Sequence, residues 1–230
     1  MKKFVLLFVI LGITLTKAQD TGEDKLGAWY MYFGMNKISE DWSIHSEAQF
    51  RFYEIDDSFN QLLLRTGLNY HINERAIATG GYAFIATDPT FEGDENLINK
   101  ITEHRIFQQF ILLNSVGKVT FEHRYRLEQR FITVDDVVDD SFTEHRTRYR
   151  LQVTVPLTKL FFLNFYDEVF INLQNNIFDQ NRLYGALGIR LSKASSLQLG
   201  YLKNHFNTIN FDRLQFGVFI NPDLSKKKSK

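Results

Sequence analysis

The chain has 230 residues, with 27 basic and 27 acidic side chains, no cysteine, and 22 Phe and 10 Tyr against 3 Pro. The absence of cysteine excludes disulfides, thiol catalysis and Cys-ligated metal sites, and the zero net charge removes the usual electrostatic basis for binding nucleic acid. Abundant aromatic residues beside a mean hydropathy of −0.24 suit strands with one apolar and one polar face.

Residues 1–18 read as a secretory signal. Lys2 and Lys3 supply the positive start, Phe4 to Leu15 a nearly unbroken apolar run, and Thr16 and Ala18 the small residues a signal peptidase inspects. The run is short for a membrane anchor, which needs about 20 apolar residues, so cleavage after Ala18 is expected, with export across the inner membrane. No later apolar stretch is long enough for a membrane helix.

Beyond the signal, period-two alternation dominates and helical periodicity is nearly absent. It predicts strands at 27–36, 42–53, 60–72, 76–87, 101–113, 119–133, 143–155, 161–172, 181–191, 196–204 and 212–221. In the second of these, Trp42, Ile44, Ala48, Phe50 and Phe52 oppose Ser43, His45, Glu47, Gln49, Arg51 and Tyr53. In 119–131, Val119, Phe121, Tyr125, Leu127 and Phe131 oppose Thr120, Glu122, Arg124, Arg126, Glu128 and Arg130. Strands this long exceed the usual length of about 5–6 residues in soluble domains and match the roughly 9–11 of tilted membrane strands. Short turns near residues 73–74, 115–118, 156–159 and 193–195 alternate with longer loops at 54–59, 88–100, 134–142 and 173–180. That arrangement predicts an all-β, antiparallel up-and-down barrel of about 10–12 strands, of outer-membrane type, formed by one domain over 19–221. Bacterial single-chain barrels have even strand numbers, so one strand is expected to be split, missed or outside the barrel. Residues 222–230 form a basic tail ending Lys226-Lys227-Lys228-Ser229-Lys230.

The polar face carries the chemistry. Glu-His-Arg occurs at 103–105, 122–124 and 144–146. Strand alternation turns His104, His123 and His145 away from their Glu and Arg neighbours, onto the apolar face, and alternating strand direction sets His123 toward the other rim. A shared metal site is therefore not expected, and no cofactor is called for. The charged partners predict a register. With the turn at 115–118, Arg105 should face Glu128 and Glu103 should face Arg130; in the next hairpin Arg130 should face Glu144 and Glu128 should face Arg146. The predicted interior is lined by Glu47, Arg51, Glu103, Arg105, Glu122, Arg124, Arg126, Glu128, Arg130, Glu144, Arg146, Arg148, Arg150, Glu168 and Arg182. Glu122, Glu168 and Glu47 are the acids available to Arg124, Arg126, Arg148 and Arg150. Such a face is either a salt-bridge network filling the lumen or an arginine-lined path for small anionic solutes.

Catalysis finds little footing. A membrane acyl hydrolase pairs Ser and His on one face, whereas His45 and Ser46 are adjacent and point oppositely. His71 has Thr66 and Asn69 upstream but no serine, and His205 is flanked by Asn204 and Asn207. The acidic loops at 92–95 and at Asp135-Asp136 with Asp139-Asp140 lack a calcium-loop spacing. The leading expectation is a non-enzymatic outer-membrane barrel in contact with outer-membrane lipid. The rivals are a membrane-embedded lipid hydrolase and a soluble periplasmic ligand-binding barrel with an apolar cavity.

Several segments, in order, resemble the family known as domain of unknown function 2490, of exported outer-membrane-type barrels. They are Trp29; Trp42 leading into Glu47-Ala48-Gln49-Phe50-Arg51-Phe52; Glu103-His104-Arg105-Ile106-Phe107-Gln108-Gln109; His123-Arg124-Tyr125-Arg126-Leu127-Glu128-Gln129-Arg130; Arg148-Tyr149-Arg150; Asp167-Glu168 with Asn172; and Phe178-Asp179-Gln180-Asn181-Arg182-Leu183. The resemblance implies a barrel in the outer membrane, inserted by the barrel-assembly machinery, and brings no catalytic residues. Outer-membrane chains commonly end on an aromatic residue. Here Gln215-Phe216-Gly217-Val218-Phe219 resembles that assembly signal, with residues 220–230 following it.

Overall fold

The computed structural model describes residues 22–91, 100–135, 140–174 and 176–225. The predicted signal, both acidic loop tips and the lysine-rich end lie wholly or largely outside the described residues.

The chain forms β1 (Leu26–Lys37), β2 (Trp42–Phe52), β3 (Phe59–Asn73), β4 (Ala76–Thr87), β5 (Lys100–Val116), β6 (Val119–Asp135), β7 (Asp140–Pro156), β8 (Phe161–Asn172), β9 (Phe178–Arg190), β10 (Ser195–His205) and β11 (Asn210–Ile220). Each predicted strand is present, with its ends displaced by three residues at most. Sequential strands pair antiparallel, and β1 pairs with β11 to close the barrel. The even count expected from bacterial barrels does not hold. All eleven strands lie in the wall, and none is split or set aside. In an up-and-down path with an odd count, the first and last strands run the same way, so the closing seam is parallel, with Trp29 opposite Gln215 and Phe33 opposite Phe219. The same parity occurs in the 19-stranded mitochondrial barrel.

Connections of two to four residues gather at one rim and those of four to twelve at the other. Two of them are two residues long, Glu74-Arg75 and Gly117-Lys118, the latter closing β5 and β6 directly after the pair Val116–Val119. Gly117 sits at φ 60°, a left-handed position that glycine adopts without a Cβ penalty and that the favoured primed hairpin turns use at their first loop residue. Beyond β11, Lys37 N–H donates to Pro222 O at 3.0 Å and Leu224 N–H to Lys37 O at 2.8 Å, so residues 222–224, assigned to the tail from sequence, prolong the seam alongside β1.

Alternation places opposite chemistries on the two sides of the wall. Leu64, Leu68, Phe110, Tyr125, Leu127, Leu187 and Leu199 project outward and are exposed, Tyr125 by 48%. Trp42, Phe50, Phe131 and Phe165 join them, while Phe52, Phe121 and Tyr149 are half-buried on the same side. Inward positions on the same strands are polar and buried: Ser43, Glu47, Arg65, Asn69, Glu103, Arg105, Arg126, Glu128, Arg146 and Glu168. Apolar groups also enter the lumen. Trp29, Met31, Tyr184, Ala186 and Leu202 pack together, and Phe107 and Phe170 are almost fully enclosed. Gly81 stands opposite Phe107, and a Cβ there would lie 2.6 Å from its ring, so the missing side chain makes room for the phenyl group.

Candidate functional site

The interior between β5 and β9 is a continuous ion-pair network built from inward positions of long strands. Its centre is Glu128 on β6, 1% exposed. One carboxylate oxygen accepts from Arg146 Nη2 at 2.7 Å, and the other accepts from Arg148 Nη1 at 2.8 Å and Arg105 Nη1 at 3.3 Å. Arg146 continues to Asp179 at 2.7 Å, and Arg148 to Glu168 at 2.8 Å. Glu168 also accepts from Arg124 at 2.7 Å. Toward the long-loop rim, Glu103 accepts from Arg105 at 2.6 Å and from Arg130 at 2.9 Å, and Arg130 reaches Glu144 at 2.5 Å. Toward the other rim, Arg150 pairs with Glu122. Buried charges are tolerated when paired and fully hydrogen-bonded, and the planar guanidinium can serve two carboxylates at once.

The predicted chains Glu103–Arg130–Glu144 and Arg105–Glu128–Arg146 both form, but the predicted β5–β6 register does not. Arg105 is directly opposite Arg130, and Glu128 is opposite Phe107. The two-residue loop lets β5 run on to Val116, which shifts the ladder by two residues from a register turning at 115–118. The contacts survive because diagonal neighbours about 7–8 Å apart lie within reach of Arg and Glu. The β6–β7 register is as predicted, with Arg130 opposite Glu144 and Glu128 opposite Arg146.

Other assignments change. Glu47 pairs with Arg65 at 2.6 Å, not with the β6–β7 arginines, and also contacts His45 at 3.0 Å and Gln49. Arg126 is bound mainly by Gln109 Oε1, at 2.9 Å from Nε, with Glu128 at 3.7 Å. Among the described residues, Arg51 and Arg182 bond only to amides, Arg51 to Gln49 and Gln61 and Arg182 to Gln180. Phenyl rings separate the cations: Phe107 carries Arg65 and Arg126 at 5.5 and 5.1 Å, and Phe170 carries Arg148 at 4.1 Å and Arg182 at 4.7 Å. Sequence reasoning passed over Arg65, Gln49, Gln109, Asp179 and Trp29. Arg65 was readable, since it shares the inward parity of Gln61, Asn69 and His71. The amides gave no signal of their own.

The serine absent from the sequence around His71 comes from β2. Ser43 Oγ lies 2.8 Å from His71 Nε2 and accepts from Asn69 Nδ2 at 3.0 Å; Thr79 Oγ1 in turn donates to Asn69 Oδ1 at 2.7 Å. The pair faces the interior, and Ser43 is 0% exposed, so its hydroxyl is a buried link in a chain of hydrogen bonds. The Glu-His-Arg histidines point outward: His104 contacts Tyr82 Oη at 2.6 Å and His123 contacts Tyr149 Oη at 2.8 Å. Among the described residues, no group of three His, Asp or Glu side chains is placed to hold a metal ion.

At the long-loop rim, Tyr53 donates to Pro89 O at 3.0 Å and packs edge-on against Phe91. Burial raises its phenol above the ordinary range, partly offset by Arg213. On the outer wall, Ala78 and Gly80 of β4 leave a shallow cavity of about 870 Å³ between Leu68 and Tyr70 on one side and Gln108 and Phe110 on the other.

Comparison with known proteins finds no curated protein and no solved structure that matches this chain. A family model covers residues 26–215, from the first strand to the middle of the last. The chain therefore belongs to the family described as protein of unknown function (DUF2490).

Proposed function

We propose that this is a non-enzymatic barrel of the bacterial outer membrane whose charge-filled interior binds, or slowly passes, small anionic solutes. The observation that carries the reading is the inverted polarity of the wall. Exposed Leu, Phe and Tyr cover the outside, while Glu128, Arg146, Arg148 and Glu168 are buried inside. Water solvates charge and expels apolar surface, so this arrangement is costly for a barrel in water and favourable for one in hydrocarbon. A soluble ligand barrel would carry the reverse pattern. The strands support the same reading, since eight of them run 12 residues or longer.

The interior favours anions because its arginines are incompletely matched by carboxylates. Arg51, Arg126 and Arg182 have no carboxylate within 3.5 Å among the described residues.

The test is gel mobility of the membrane fraction, unheated against boiled. A folded barrel that resists detergent migrates differently until boiled. A shift supports the membrane reading, and flux of a small anion into liposomes then tests passage. Recovery of the chain in the soluble periplasm, without a shift, removes the membrane reading.

A further inference from the structure

The network on β5–β9 is charge-paired, whereas two interior arginines flanking the closing seam, Arg182 on β9 and Arg51 on β2, are not. Arg51 lies over the Trp29 indole, with its guanidinium carbon 3.8 Å from the ring centroid, and Arg182 approaches the same indole at 4.9 Å. Both cations lack a carboxylate within 4 Å among the described residues, and their hydrogen bonds go to amide oxygens: Arg51 Nε to Gln49 at 2.9 Å, Arg51 Nη1 to Gln61 at 2.5 Å, and Arg182 Nη2 to Gln180 at 3.2 Å. Glu168 is the cross-strand partner of Arg182, but Arg124 and Arg148 already occupy it.

Unused donors collect around this seam. Among the described residues, Arg182 Nε, Trp29 Nε1 and Gln215 Nε2 are buried with no acceptor at hydrogen-bond distance, Gln215 reaching only toward the Tyr166 phenol, and Trp29 and Gln215 are direct partners across the closing seam. Trp29, Arg51 and Gln215 are each more than nine-tenths buried. An aromatic face attracts a cation but does not neutralise it, and a buried charge without a counter-charge is costly. Two guanidiniums without a counter-charge, beside an indole N–H, a carboxamide N–H₂ and the Arg182 Nε–H that lack acceptors, form the complement of an oxyanion. Its oxygens offer several lone pairs and the missing negative charge.

We propose that this part of the interior is a binding site for a small oxyanion, a carboxylate or phosphate group. Arg51 and Arg182 supply the charge, and Trp29 Nε1–H and Gln215 Nε2–H supply further hydrogen bonds. The proposal rests on the reading of the interior as open to small anions and gives that reading a location.

Trp29 and Trp42 are the two tryptophans of the chain, so Trp42→Phe leaves Trp29 as a fluorescent reporter inside the site. The full chain carrying that change, folded in detergent with its strand content verified by circular dichroism, is titrated with sodium phosphate and with sodium acetate. Sodium chloride at matched ionic strength is the reference. The expected result is a saturable change in Trp29 emission with at least one oxyanion and none with chloride. The more effective of the two identifies phosphate or carboxylate chemistry. Adding Arg182→Gln should weaken binding about tenfold or more, the loss of one charge-assisted contact, while Arg182→Lys should fall between. A response equal to that of chloride, or an Arg182→Gln protein that titrates like its parent, overturns the site. Binding without flux through liposomes would leave this site standing and remove passage. Flux without binding would do the opposite.

Discussion

Arg105 and Arg130 stand directly opposite each other across the β5–β6 ladder, two like charges at a cross-strand position where repulsion is expected. They are reconciled by Glu103, which accepts from Arg105 Nε at 2.6 Å and from Arg130 Nη2 at 2.9 Å. One carboxylate thus turns an unfavourable register into a bridge.

Glu103→Gln should therefore destabilise the barrel by about 3 kcal/mol, because it leaves two opposed, largely buried guanidiniums without their shared counter-charge. Adding Arg130→Gln should restore part of that loss, since it removes the repulsion from Arg105, although it also takes Arg130 from Glu144. Urea unfolding of the detergent-folded protein measures both. Equal stability of Glu103→Gln and the parent would show that the bridge is immaterial.

This pair also shows how far the sequence could be read. Alternation is a local property, so the strands, to within three residues at their ends, and the two faces of each one follow from residue type, even though Phe107 and Phe170 stand on the polar side. Register is not local. It depended on whether Gly117 and Lys118 alone make the turn, and a two-residue difference there moved Arg105 from opposite Glu128 to opposite Arg130. The ion pairs were still legible, because long side chains reach diagonal partners and hide the shift. The neutral partners were not. Gln109 on Arg126 and Gln49 on Arg51 look like any other polar residues, and Ser43 meets His71 only because β2 and β3 pair with Ser43 opposite Asn69. The closing seam was equally hidden, since no local pattern says that an odd count will close in parallel.

Burial should separate two glutamates that look alike in sequence. Glu128 has no exposed side-chain surface and serves three arginines within 3.3 Å, whereas Glu144 retains 22% exposure and, among the described residues, serves Arg130 alone. Glu128→Gln should cost about 3–5 kcal/mol, while Glu144→Gln should cost about 1 kcal/mol or less, the range of a solvent-screened pair. Similar urea midpoints for the two variants would contradict the central place given to Glu128.

Adjacent glycines on β4 offer a steric control within one strand. A Cβ on Gly81 would meet the Phe107 ring at 2.6 Å, whereas nothing lies within 4 Å of a Cβ on Gly80. Gly81→Ala should lower stability by about 1–3 kcal/mol through overpacking, and Gly80→Ala should be neutral or slightly stabilising. Thermal unfolding of the two single variants decides. A reversed order would place Phe107 elsewhere than over Gly67 and Gly81.

The Ser43–His71 contact puts the non-enzymatic reading at risk, because a hydroxyl 2.8 Å from an imidazole is the starting geometry of an acyl hydrolase. Geometry alone is insufficient. A nucleophile must also meet its substrate, and Ser43 has no exposed surface and already accepts a bond from Asn69. A fluorophosphonate probe should therefore leave the folded protein unlabelled. Ser43→Ala should cost stability only, about 1–3 kcal/mol for leaving Asn69 and His71 without their shared partner. Labelling that disappears in Ser43→Ala would instead make this residue a nucleophile. The substrate would then have to reach it from the lumen, near the short-turn rim where His71 sits, and not from the apolar outer wall.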